Sequence, residues 1–190
     1  MSSDFKDLFG EDWQPHDIGN RDSGNAEESA PAPEPEAESG EFTSENENRT
    51  PRTLNEKEVK VMGVYMHQEP GLAPNHFVLL RDNRGRRVPI WVGQFEAFAI
   101  SYAIEEQSAD RPLTHDLMKI MLERLGGTVD RIIIDDLWRE TFYAKITIVT
   151  ADSQYIEIDA RPSDAVALAL RVHAPIYMAE YVLDQTVHKE

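Results

Sequence analysis

Two spacings of apolar residues divide the chain from residue 58 onward. Strand candidates come first, at EVKVMGVYMH (58–67), HFVLL (76–80) and RVPIWVG (87–93). The last two are joined by RDNRGR, where Asn83 and Gly85 supply turn chemistry. The period then changes. In QFEAFAISYAIEE (94–106), Phe95, Phe98, Ala99, Tyr102 and Ala103 recur at helical spacing. THDLMKIMLERLGG is a second helix, with Thr114 as its N-cap and Gly126 and Gly127 as its stop. TVDRIIIDDLW (128–138) and TFYAKITIVT (141–150) make another hairpin, its alternation clean through Phe142, Ala144, Ile146 and Ile148. QYIEID puts Ile156 and Ile158 on one face of a strand and Glu157 and Asp159 on the other, and the Ala- and Leu-rich SDAVALALRV after it suits a helix. PIYMAEYVL (175–183) closes the pattern as a short strand or helix. Strands and helices cluster rather than alternate strictly. This predicts an α+β fold, one domain with a mainly antiparallel or mixed sheet of six to seven strands and three helices.

Composition changes the picture upstream. Residues 1–53 hold 14 acidic against 4 basic side chains, a net charge of −10. The remainder holds 21 against 15, a net of −6, and together these make the −16 of the 190-residue chain. APAPEPEAESGE and ENENRTPRT carry hardly any aliphatic residues, so the first segment lacks the apolar surface to offset chain entropy. It is read as a disordered acidic tail (1–53) before a folded domain (54–190). One stretch of it differs: FKDLFGEDW (5–13) sets Phe5, Leu8, Phe9 and Trp13 on one helical face, as a segment that folds onto a protein partner's groove would. No positively charged start leads into an apolar run, and no window reaches the ~18 apolar residues of a membrane span. The absence of cysteine excludes disulfides and thiolate metal sites and fits a cytoplasmic protein.

Candidate chemistry therefore falls to carboxylates, histidine and arginine. Asp159, Arg161 and Asp164 crowd the point where a strand hands over to a helix. Glu96 lies in the first turn of its helix, His115 and Asp116 follow Thr114, and Asp135 and Asp136 end a strand. Such oxygen and imidazole donors suit Mg²⁺, Mn²⁺ or Ca²⁺. Each has a plain structural explanation as well. An acid at a helix N-terminus is stabilised by the dipole by about 0.3–1 kcal/mol, and turns favour Asp. RDNRGRR places Arg81, Arg84, Arg86 and Arg87 against one acid, and arginine forks match phosphate oxygens. A domain at −6 has no broad basic face, so any nucleic-acid contact must be local or metal-bridged. The chain contains no HExxH, GxxxxGK, GxSxG or GxGxxG pattern.

IWVGQFEAFAI, RPLTHDLM, the strand pair around DDLWRETFYAKI, and DARPSDAVALALRVHAPIY together resemble the successive blocks of the bifunctional nuclease domain family. The resemblance runs in order from about residue 58 to 183, with the tail outside it. It implies DNase and RNase activity, that is, hydrolysis of phosphodiester bonds in RNA and single-stranded DNA. Glu96, Thr114, His115, Asp116, Asp135, Asp159, Arg161, Ser163 and Asp164 fall inside the matching blocks. The implied site has Asp135, Asp159 and Asp164 holding a divalent ion (Mg or Mn), His115 moving a proton and Arg161 steadying the phosphate, with Glu96 and Asp116 beside them. On this view Asp159 and Asp164 bracket Arg161. The competing function is a non-catalytic binding or regulatory module that recruits a protein partner or a small anionic ligand. A homodimer is the default assembly for a small domain with open strand edges.

Overall fold

The computed structural model describes residues 55–68 and 71–186. The acidic segment 1–53 and its FKDLFGEDW stretch lie outside them. The alternating segments become seven strands: β1 (Glu56–His67), β2 (Asn75–Asp82), β3 (Arg87–Val92), β4 (Thr128–Trp138), β5 (Thr141–Val149), β6 (Tyr155–Ala160) and β7 (Ile176–Ala179). They form one sheet in the order β3-β2-β1-β7-β4-β5-β6. Every neighbouring pair is antiparallel except β4 with β7, so the sheet is mixed. The helices are α1 (Gln94–Ile104), α2 (Thr114–Arg124), α3 (Pro162–Val172) and α4 (Glu180–Thr186). The α+β class holds, with four helices rather than three. Segment 175–183 is both strand and helix: Ile176 and Met178 bury themselves in the middle of the sheet, and the chain turns straight into α4 at Glu180.

One face of the sheet makes the core. Val78, Leu80, Val88, Ile90, Ile132, Ile134, Ile146, Ile176 and Met178 meet Ile100 of α1, Ala165, Val166, Leu168 and Ala169 of α3, and Val182 and Leu183 of α4. The alanines of α3 let its backbone lie close to the strands, and each fully buried Ile or Leu contributes about 1.5–3 kcal/mol. α1 departs from the expected register. It turns Ala97 and Ile100 inward, while Phe95 and Phe98 stand 84% and 57% exposed. α2 starts one residue earlier than expected: Leu113 occupies the cap position and Thr114 is the first helical residue. The side chain that closes this end is Asp116, whose carboxylate accepts the Leu113 N–H at 3.0 Å. α2 stops where Gly126 adopts a φ of 77°, a value that favours glycine. Among the described residues no helix is long and apolar enough to cross a membrane.

Candidate functional site

Three helix starts converge on one cluster. β6 delivers the chain to Arg161, the N-cap of α3, and Pro162 at the first helical position fixes the turn. The Arg161 guanidinium folds back along its own helix: Nε donates to Asp164 Oδ2 at 2.7 Å and an Nη to Oδ1 at 3.2 Å. Its other Nη reaches Glu96 Oε1 of α1 at 3.0 Å. His115, at the start of α2, brings Nε2 within 3.2 Å of Asp164 Oδ1. Arg161 is two-thirds exposed while the His115 ring is 10% exposed, so the cation reaches the surface and the imidazole is largely buried. Burial by itself would raise the Asp164 carboxyl, but hydrogen bonds from Arg161 and His115 outweigh it and hold the group below the usual range. Asp164 and Glu96 in turn keep Arg161 charged. Gly93, just before α1, leaves room for the Glu96 carboxylate, since a Cβ there would collide with Glu96 Oε2.

The other candidates separate from this cluster. Asp159 does not flank Arg161. It is exposed on β6 opposite Lys145 in the ladder, and Arg161 takes Glu96 as its second acid instead. Asp135 pairs with Lys145 at 3.4 Å, and Lys145 also meets Glu157 at 3.3 Å. Desolvation pushes the Asp135 carboxyl above its ordinary value despite Lys145, whereas Lys145, less buried and facing two acids, is held in its charged form. Asp136 is buried, accepting the Leu137 N–H and the Tyr181 hydroxyl. Asp116 is turned away from His115's partner toward Arg171 of α3, whose Nε donates at 2.6 Å. Arg171 is 6% exposed and also donates to the carbonyls of Ala99 and Ala167, tying three helices together. Ser163 is buried at the second position of α3.

The expected ligands of a divalent ion are therefore not gathered. Asp135 is occupied by Lys145 and both Asp164 oxygens by Arg161 and His115. Among the described residues no three of His, Asp and Glu come together around a point that could hold a metal ion. The residues as arranged do not fit Mg²⁺ or Mn²⁺.

The hairpin arginines also divide. Arg86 is structural: its fork engages Asp82 (2.8 Å), Glu180 (3.1 Å) and Asp184 (3.0 Å), and its side chain is 15% exposed. Arg81 and Arg84 face outward and, with Lys60, line an open hollow of about 460 Å³ beside Asn83 and Gly85. Arg87, on β3, is exposed. Sequence spacing missed Arg171 and Tyr181, whose partners are 55 and 45 residues away in the chain. An arginine in the last turn of a helix reads as an ordinary complement to the dipole.

Comparison with known proteins adds a family. A model described as the bifunctional nuclease domain matches residues 78–190. A Mycobacterium tuberculosis protein described as uncharacterized is 45% identical over 131 residues, covering 67% of this chain and 74% of its own. Bifunctional nuclease 1 of Oryza sativa subsp. indica is 27% identical over 108 residues, 55% of this chain and 33% of the rice protein. Bifunctional nuclease 2 of Arabidopsis thaliana is 26% identical over 117 residues, 60% of this chain and 36% of the plant protein. The matched region is thus about a third of each plant relative.

Proposed function

The chain belongs to the bifunctional nuclease domain family, and from that premise we propose that it hydrolyses phosphodiester bonds of RNA and single-stranded DNA at the Glu96–His115–Arg161–Asp164 cluster. The observation that carries this reading is the exposed Arg161 fork held beside a histidine that a carboxylate orients. A phosphate reaching Arg161 finds a planar cation already aimed by two acids, and the remaining N–H groups are free to donate to its oxygens. With His115 Nε2–H donating to Asp164, the other ring nitrogen, Nδ1, is the proton acceptor. Water that gives a proton to Nδ1 attacks phosphorus, the bond to the leaving sugar oxygen breaks, that oxygen takes a proton from solvent water, and the imidazolium returns its proton to solvent. The geometry supplies orientation and charge stabilisation, and no step passes through a metal.

A second reading rests on the same network. Arg161 already donates three hydrogen bonds to Glu96 and Asp164, so the closed cluster also suits a module that binds an anion without cleaving it. End-labelled RNA and single-stranded DNA incubated with wild type and His115→Gln separate the two. Hydrolysis is expected in wild type and to fall at least about 100-fold in the variant, the usual weight of a positioned acid–base group. Equal cleavage in both proteins would take His115 out of the chemistry and move the active site elsewhere, and cleavage absent from folded wild type leaves the binding module.

A further inference from the structure

The two faces of the sheet do not match the elements available to cover them. α1, α3 and α4 send their buried apolar residues to the face of Val78, Leu80, Ile132 and Ile134. Phe77, Leu79 and Ile133 alternate with those residues and point to the opposite face, and none belongs to that core. They are nevertheless 0%, 2% and 2% exposed, and Thr147 on the same face is 4% exposed. Neighbours within a sheet cannot shield a phenylalanine completely, because side chains stand roughly perpendicular to the strands. Tyr65, Phe77 and Trp91 form an aromatic row across β1, β2 and β3, with centroids 5.4 and 5.2 Å apart. The described loop residues 71–74 and 105–112 are exposed or carry little apolar bulk, and no described helix contributes to this face. Among the described residues no element packs over this face.

We propose that its cover is the chain's own FKDLFGEDW stretch (5–13), docked through Phe5, Leu8, Phe9 and Trp13 on the aromatic row of β1–β3. Outside the described residues it is the one dense run of large apolar side chains, since 69–70 and 187–190 are short and mostly polar. Charge agrees with the placement. The stretch carries Asp7, Glu11 and Asp12 against Lys6, while Lys60, Arg81 and Arg87 lie in register on the same sheet face as Leu79. Reach is sufficient: 41 residues, 14–54, separate the stretch from the domain, and a random coil of that length has an end-to-end distance of about 35 Å. Tethering raises the effective concentration of the stretch to the millimolar range, so modest affinity keeps the face covered. The interaction is independent of the catalytic cluster, which lies at the starts of α1, α2 and α3.

The experiment uses the full chain with a photo-crosslinking phenylalanine analogue at position 9, in a mixture of isotopically light and heavy protein. The expected product is a crosslink to the 75–92 region within one chain. In parallel, the triple variant Phe5→Ala, Phe9→Ala, Trp13→Ala should lower Tm by about 5 °C or more and open Trp91 to a fluorescence quencher. The milder Glu11→Lys, Asp12→Lys variant should move both readouts in the same direction by less. Crosslinks that join light to heavy chains would assign the face to a second copy, and crosslinks to the helices or to nothing would overturn the docking. Unchanged Tm and quenching in both variants would overturn it as well.

Discussion

Arg161 and Arg171 bracket the same eleven-residue helix, yet their surroundings set them different tasks. The Arg161 side chain is 66% exposed and bonded to acids that keep partial access to water. An exposed pair contributes at most about 1 kcal/mol, so Arg161→Ala should barely change unfolding free energy. Arg161→Lys keeps the charge but loses the fork, and nuclease turnover should fall at least about tenfold, which corresponds to ~1.4 kcal/mol on the barrier. Wild-type turnover in Arg161→Lys would take the fork out of the site. Arg171 behaves in the opposite way. Removing it strands Asp116 in a half-buried position and leaves the carbonyls of Ala99 and Ala167 without their donor. Arg171→Ala should therefore cost about 3–5 kcal/mol in chemical denaturation. The buried ion pair of this helix lies at its other end, at Arg171.

At the scale of elements, the hairpin β2–β3 shows what sequence reading reached and where it stopped. Short apolar runs located both strands, and Asn83 and Gly85 located the turn, because those signals are local. The role of Arg86 was not legible, since Glu180 and Asp184 are 94 and 98 residues downstream and meet it only when β7 enters the sheet beside β1. Expected to lie free for phosphate, Arg86 instead closes the hairpin onto α4. Likewise the helical spacing of α1 was visible, but its inward side was not: Phe95 and Phe98 look like core residues until Ala97 and Ile100 take that place. Of the candidate cluster, His115, Arg161, Asp164 and Glu96 were each visible in the sequence blocks, whereas their meeting with one another and their separation from Asp135 and Asp159 depend on how the strands and helix starts are placed. Arg86→Ala should destabilise by about 3 kcal/mol, because Asp82 remains buried without its cation. Arg84→Ala, mostly exposed, should stay within about 0.5 kcal/mol. If the outward pair contacts phosphate, Arg81→Ala with Arg84→Ala will weaken RNA binding and flatten its salt dependence, measured by titration at several salt concentrations. An unchanged salt slope would remove the hollow from the nucleic-acid surface.

For the molecule as a whole, the response to acid follows from where its carboxylates are held. Burial opposes ionisation of Asp82, Asp116 and Asp164, yet hydrogen bonds from arginine, joined by backbone N–H groups at Asp82 and Asp116 and by His115 at Asp164, prevail and depress all three, and Arg86 depresses Glu180 directly. A carboxyl whose folded value lies below its unfolded value stabilises the fold above the unfolded value. That contribution disappears as pH falls through the folded value. Because these groups join β2 to α4 and α2 to α3, protonating them loosens both the hairpin and the helix layer. Asp135 has the opposite sign. Its raised value means that ionisation costs stability, so Asp135→Asn should leave the neutral-pH stability unchanged or slightly higher while Lys145 keeps Glu157. Stability should therefore fall steeply as pH drops below the ordinary aspartate value of 3.8. The contribution of one pair can be isolated with Asp116→Asn combined with Arg171→Met, which removes both charges and retains the packing of the arginine stem. Urea unfolding from about pH 7 to 3 should give a shallower loss of free energy in the double variant than in wild type. Parallel curves would mean that the Asp116–Arg171 pair does not set the acid limit, leaving Asp82 and Asp164 to account for it.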